Sequence, residues 1–373
     1  MFETEYQCGI LVIVIQPSQI RLAGVFFYKG MVMKLSEKFY KTYKERIEIL
    51  TDRNMTINKK SSIHRKVISD YNYYNVINAY KDLFLEKNKQ SERYINGTTP
   101  DQLLAIYKFD EALRIILLRY LLKIEEKVKH CITQSFFSHV LNDETLNQSE
   151  KESLHKDSTY INIKYYDTSN IDKKETFAKF QEIAYKQINT QYKKDNSSIK
   201  KYKDEHGYIP MWVLFNVLMF GNISKYFTIL NRDIKIRVME LMGIKWNFQV
   251  EEETIQQFES TLEILTLARN VCAHNERLYC FKHNIPLKDK YLSFNKALPS
   301  WKDDDFNEKS NMKFSIFSVI FLIGKFVEKK ENAAMLKEIN KEVIKLEKKL
   351  STIDIYEVLT YMKMPNDWKD KLS

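Results

Sequence analysis

"TPDQLLAIYKFDEALRIILLRYLLKIEEKVKH", residues 99–130, decides the fold class. It opens on a helix start signal: Thr99 as cap, Pro100 in the first turn, and Gln102 reaching back. No glycine or proline interrupts the stretch after Pro100. Successive residues placed at ~100° steps put Lys108, Arg119, Lys123, Glu126 and His130 on one side, which must face water. Leu117, Leu121 and Val128 fall on the opposite side, and Asp110, Arg114 and Glu125 fall there with them. Ionisable groups turned toward a core or cleft need partners, because an unpaired buried charge is costly. Asp110 and Arg114 stand four apart and can pair with each other, a structural role as open to them as a functional one. Glu125 finds no such partner in its own helix and is the candidate to meet Arg269 from another.

Helical spacing continues outward in both directions. It predicts helices at 36–52, 60–68, 72–86, 174–193, 210–230, 232–243, 251–280, 310–329 and 331–351, with a short one near 354–362. Eight Gly and six Pro are few for 373 residues, which favours long helices over the many turns of a sheet protein. The expected fold is all-α, with a core of four to five helices in which 100–131 packs on 251–280. On the 210–230 helix, Trp212, Phe215 and Met219 share a face and are expected to pack inward. Gly221 is expected to permit a close backbone approach there. Polar stretches at 141–173, 192–207 and 298–311 read as loop or insertion, charged connector and second connector. "GILVIVI" at 9–15 reads as a strand, alone in a helical chain, and residues 1–32 as an extension outside the functional domain. The domains expected are thus 1–32, a helical domain at 36–297, and a C-terminal helical region at 310–373.

The net charge of +10 suits a partner that carries phosphates. Cys8, Cys131, Cys272 and Cys280 contain no CxxC pair, so a disulfide framework is not expected and a reducing cytoplasm is the natural compartment. Cys280 and His283 have a ligand-like spacing, but no second pair of ligands follows, and no metal or other cofactor is expected. The longest apolar run is far shorter than the ~20 residues of a membrane span, so no membrane partner is expected.

The stretch "LARNVCAHNERLY", 267–279, adds chemistry to this helical frame. Read as one helix, it places Asn270, His274 and Arg277 on one face, with Arg269 at its edge. Imidazole is the side chain that exchanges protons near neutral pH, and it can take the proton from a ribose 2′-hydroxyl. An arginine can hold the phosphate and the charge that builds on it, and an asparagine can orient either group. RNA cleavage by such a set calls for no metal. Against this stands the plainer reading, a His and an Arg that pair with carboxylates to join two helices.

"RNVCAHNERLY" closely resembles the R-N-x-x-A-H-x-x-R-L segment of abortive-infection proteins of the AbiD/AbiF type, which belong to the HEPN superfamily. Three more stretches resemble the same family in the same order: "YYNVINAYKDLF" at 73–84, "LLAIYKFDEALR" at 103–114 and "PMWVLFNVLMFGNISKYF" at 210–227. The resemblance covers roughly residues 36–285. It implies a HEPN-type helical bundle with additional peripheral helices, and a phage-defence protein that acts as a metal-independent endoribonuclease. It also implies a homodimer whose paired R-x4-H motifs form one composite site. Arg269 and His274 match the two fixed positions and Asn270 the polar second one. Glu125 is the choice for the superfamily's acidic position, with Asp110, Arg114 and Arg277 in support. The partners implied are RNA as substrate and a small noncoding RNA or an antitoxin as restraint. Two other readings stand beside this: a non-catalytic RNA-binding sensor that uses the Arg and His to grip phosphate, and a HEPN toxin silenced by a nucleotidyltransferase.

Overall fold

The computed structural model describes residues 6–7, 10–11, 25–28, 31–34, 39–87, 91–244, 252–287 and 311–372. Two short antiparallel hairpins come first: β1 (Tyr6–Gln7) with β2 (Ile10–Leu11), and β3 (Val25–Tyr28) with β4 (Met31–Lys34). Beyond residue 34 the described residues hold no strand, and the fold is all-α. The helices are α1 (Tyr43–Asp52), α2 (Ser62–Ser69), α3 (Pro100–Leu141), α4 (Gln148–Glu152), α5 (Asp157–Tyr160), α6 (Ile171–Tyr192), α7 (Ser198–His206), α8 (Met211–Leu214), α9 (Phe220–Thr228) and α10 (Arg232–Leu241). They continue as α11 (Glu252–Ala273), α12 (Ile316–Phe326), α13 (Lys329–Glu347), α14 (Ile355–Tyr361) and α15 (Trp368–Leu372).

Several elements differ from the helices that periodicity predicts, each for a local reason. α1 begins at Tyr43 because Thr42 and Glu45 close a capping box, which places Phe39 and Tyr40 outside the helix. Residues 36–38 of the expected helix, most of "GILVIVI" and nearly all of the 298–311 connector lie outside the described residues, although Ile10 and Leu11 are extended as expected. The expected helix at 72–86 is a π-helical turn, Tyr74–Asn78, followed by a 3₁₀ turn, Asp82–Phe84. The polar stretches are not plain loops: 141–173 folds α4, α5 and a 3₁₀ turn, and 192–207 folds α7, closed by Gly207 at φ 80°.

The chain divides into two compact units. The first comprises residues 1–109, 280–282 and 343–358; the second comprises 110–279, 283–342 and 359–373. In the first unit, the start of α3 is tied by Gln102, 1% exposed. Its amide nitrogen donates to Gly97 O, Thr99 Oγ1 and Thr352 Oγ1, at 3.2, 3.2 and 2.9 Å. Its amide oxygen accepts from the backbone of Ser351 and Thr352, both at 3.0 Å. Gln102 thus reaches back as expected, but as a donor, and it also binds a segment some 250 residues away. A Gln102→Leu protein is expected to lose about 1–2 kcal/mol of stability, read as a lower urea midpoint. The loss stays moderate because Ser351 is exposed, so water can replace part of the lost bonding.

The second unit builds its core from α3, α6, α9, α11 and α12. Phe258 of α11 meets Phe227 of α9 and Phe326 of α12, with ring centroids 5.1 and 6.0 Å apart. Tyr226 of α9 meets Phe180 of α6 at 4.4 Å. At Gly221 a Cβ would stand 3.4 Å from Thr266 Cγ2, so α9 and α11 approach closely there, as expected.

The 210–230 segment corrects the predicted face. Its helix is interrupted at Leu218, which is extended at φ −85°, ψ 139°. The inward residues are Met211, Leu214, Phe215 and Leu218, while Trp212 is 42% and Met219 63% exposed. Phe215 is therefore inward as expected and the other two are not. The true stripe lies one residue earlier, and the break ends any phase carried to residue 219. Trp212 retains an edge contact with Phe137, at 5.7 Å between centroids.

Candidate active site

α3 presents the two faces that its spacing implies. Lys108, Arg119, Lys123, Glu126 and His130 are exposed. Leu117, Leu121 and Val128 are fully buried, and Asp110, Arg114 and Glu125 are buried with them at 0, 3 and 6% exposure. The three ionisable residues make two separate clusters against α11 and the turn after it, both within the second unit.

The first cluster holds the turn. Arg114 Nη1 donates to Asp110 Oδ2 at 2.5 Å and to Glu276 O at 3.1 Å, and Arg114 Nη2 donates to Asn275 Oδ1 at 2.7 Å. Asp110 in turn accepts from the backbone N–H groups of Leu278 and Tyr279, at 3.2 and 2.7 Å. A carboxylate inside the protein is thus met by a guanidinium and two amides, which satisfies a charge that would otherwise be costly to bury.

The turn itself corrects the expected 251–280 helix, because α11 ends at Ala273. His274 N still donates to Asn270 O at 2.9 Å, and Glu276 N then reaches back to Val271 O at 3.1 Å across Asn275 at φ 59°. This is a Schellman cap, with asparagine in the left-handed position that glycine or asparagine tolerates best. Arg277 therefore lies beyond the helix and does not share a helical face with Asn270 and His274. Periodicity alone misses Asn275, although an asparagine just after the last periodic residue is a helix stop signal.

The second cluster orients Arg269. Its Nε stands 3.2 Å from Glu125 Oε2, the inter-helix partnership the sequence suggests. Glu125 does have a partner in its own helix: Lys129 Nζ donates to Glu125 Oε1 at 2.8 Å and to Leu218 O at 2.9 Å. One carboxylate thus joins α3 to α11, and one ammonium joins α3 to the break before α9. Lys129 stands four residues after Glu125, as Arg114 does after Asp110, so spacing does offer this partner; what spacing hides is the Leu218 carbonyl, freed by a break that periodicity does not show. The Arg269 side chain is 22% exposed, and its two Nη nitrogens make no hydrogen bond among the described residues. Asn270 and His274 are exposed. The arrangement can present a fixed guanidinium and an imidazole, five residues apart in sequence, to something outside the chain.

Cys272 sits behind this surface at 7% exposure. Burial pushes its thiol up to about 12, with Asp110 adding to the shift. Thiolate is the reactive form, so Cys272 is expected to stay unmodified by iodoacetamide at pH ~8 in the folded protein and to react after denaturation, as read by peptide mass mapping. His283 Nε2 lies 3.2 Å from Ser318 Oγ, and burial lowers its pKa to about 4. Among the described residues no group of three His, Cys, Asp or Glu side chains is placed to hold a metal ion, and no helix is long and apolar enough to cross a membrane.

A family model described as Abi-like protein matches residues 66–280, more than half of the chain. No curated protein and no solved structure matches it. The matched span contains both clusters whole, from Asp110 on α3 to Tyr279 after the α11 cap. The chain belongs to the Abi-like protein family.

Proposed function

We propose that this protein is a metal-independent endoribonuclease of the HEPN type, AbiD/AbiF-like, that cleaves RNA in the cytoplasm as a homodimer. Membership of the Abi-like family supports an abortive-infection function. The observation that carries the chemistry is Arg269: Glu125 fixes its Nε while neither Nη nitrogen has a hydrogen bond among the described residues, five residues ahead of an exposed His274. A guanidinium held on one edge offers its other edge to a phosphate with little left to reorganise.

In the proposed reaction the ribose 2′-oxygen attacks phosphorus and its proton passes to one imidazole. The bond to the 5′-oxygen breaks as another imidazole donates a proton to that leaving oxygen. The products are a 2′,3′-cyclic phosphate and a 5′-hydroxyl. One chain offers one such histidine, and two chains related by a two-fold axis offer two, with two copies of Arg269 to hold the charged intermediate state. Asn270, exposed one turn before His274, orients phosphate or hydroxyl. Asp110 and Arg114 act at a distance, by holding the cap that presents His274. Expression of the wild type in cells is expected to arrest growth and fragment RNA, and the His274→Ala protein to do neither. Equal toxicity of the two would overturn the nuclease reading.

A further inference from the structure

The first unit carries a surface that the proposed cleavage does not use. Phe39 and Tyr40, ahead of α1, are 74 and 81% exposed, and Tyr74 is 57% exposed. Rings of this size left in water forgo the stabilisation that burial supplies, and a group of them marks an interaction site. Arg46 stands against Tyr40 and against Tyr73, the residue before Tyr74. Its guanidinium carbon lies 5.3 Å from the centre of the Tyr40 ring and 5.5 Å from that of Tyr73. No carboxylate pairs with Arg46 among the described residues, and its neighbour Glu45 is engaged by Thr42 and Lys41.

The pattern repeats close by in the first unit. Lys108 Nζ lies 5.6 Å from the Tyr71 ring centre and 5.4 Å from that of Tyr107, and those two rings meet edge to face at 5.9 Å. Tyr73 and Tyr74 open the π-helical turn Tyr74–Asn78, a distortion that recurs at functional sites. Between residues 39 and 74 basic residues outnumber acidic ones eight to four.

We propose that this surface binds single-stranded RNA, with bases stacked on Tyr40 and Tyr74 and the backbone phosphates drawn to Arg46. Exposed rings interleaved with cations suit unpaired bases, whose faces are open and whose backbone is anionic. Duplex RNA hides those faces, and an acidic protein segment would use the charge but leave the rings idle. The choice of RNA as the ligand class rests on the nuclease reading, and the contact on the first unit uses none of the residues given to cleavage.

The test is fluorescence anisotropy of the full-length protein with a labelled 2′-O-methyl oligoadenylate, which lacks the attacking hydroxyl and so reports binding without cleavage. Tyr40→Ala is expected to weaken binding roughly 5- to 100-fold, with Tyr40→Phe close to wild type. Arg46→Ala is expected to flatten the salt dependence by about one ion equivalent. Thermal melts of the variants establish that they fold, and Arg46→Gln serves if the alanine protein does not. Unchanged affinity in a folded Tyr40→Ala/Arg46→Ala protein, or equal affinity for a blunt duplex, would overturn the proposal. Because the probe cannot be cut, loss of binding in these variants supports the surface even if His274 proves dispensable for RNA breakdown.

Discussion

RNA cleavage by the His274→Ala protein is expected to be ~10²–10⁴-fold slower than by the wild type, the usual scale for removing a general acid–base group. Arg269→Ala should fall in the same range, because in the proposed reaction it removes the charge that meets the developing phosphorane-like state. Wild-type cleavage should survive EDTA and leave 2′,3′-cyclic phosphate and 5′-hydroxyl ends. Glu125→Gln keeps the size of the side chain but weakens the hold on Arg269 Nε, so a smaller loss is expected. If each active centre draws one histidine from each of two chains, mixing inactive His274→Ala chains into the wild type should lower activity more steeply than their share of the mixture. Full activity in His274→Ala, or activity abolished by EDTA and restored by Mg²⁺, would rule out this chemistry.

The largest effect on stability is expected at the buried pair behind the cap. Arg114→Met takes the guanidinium away from the Asp110 carboxylate, which is 0% exposed, and leaves the amides of Leu278 and Tyr279 to face its charge. Breaking a buried pair from one side costs about 3–5 kcal/mol, because the remaining charge stays in a poor solvent. The urea midpoint should fall accordingly. Arg114→Lys should recover part of the loss: it restores the charge but cannot reach Asp110, Asn275 and Glu276 together as the planar fork does. Asp110→Leu/Arg114→Met should be milder than Arg114→Met alone, since both charges of the pair are then gone. An Arg114→Met protein with an unchanged midpoint would show that the pair does not hold the α11 cap.

The sequence by itself determined the features that depend on residues within a few turns of one another. The two faces of α3 are legible in its spacing because a 42-residue helix with no glycine or proline after its first residue keeps its phase throughout. Its inward Asp110, Arg114 and Glu125 follow from that phase, whereas Glu125 meets Arg269 even though Lys129, four residues on, already pairs with it inside α3. The end of α11 is also locally encoded, in Asn275, though periodicity overruns it and wrongly puts Arg277 on the helix. Tertiary structure decided the rest. Leu218 is extended where spacing reads as helix, and its carbonyl is met by Lys129 from 89 residues away. That break turns Met219 outward, and Trp212 faces outward because the packed stripe begins at Met211. Arg114 likewise finds Asn275 and Glu276 across some 160 residues of chain. Periodicity assigns a side chain to a face, but it cannot supply the backbone carbonyls and amides that another element brings to that face, and those groups hold this site together.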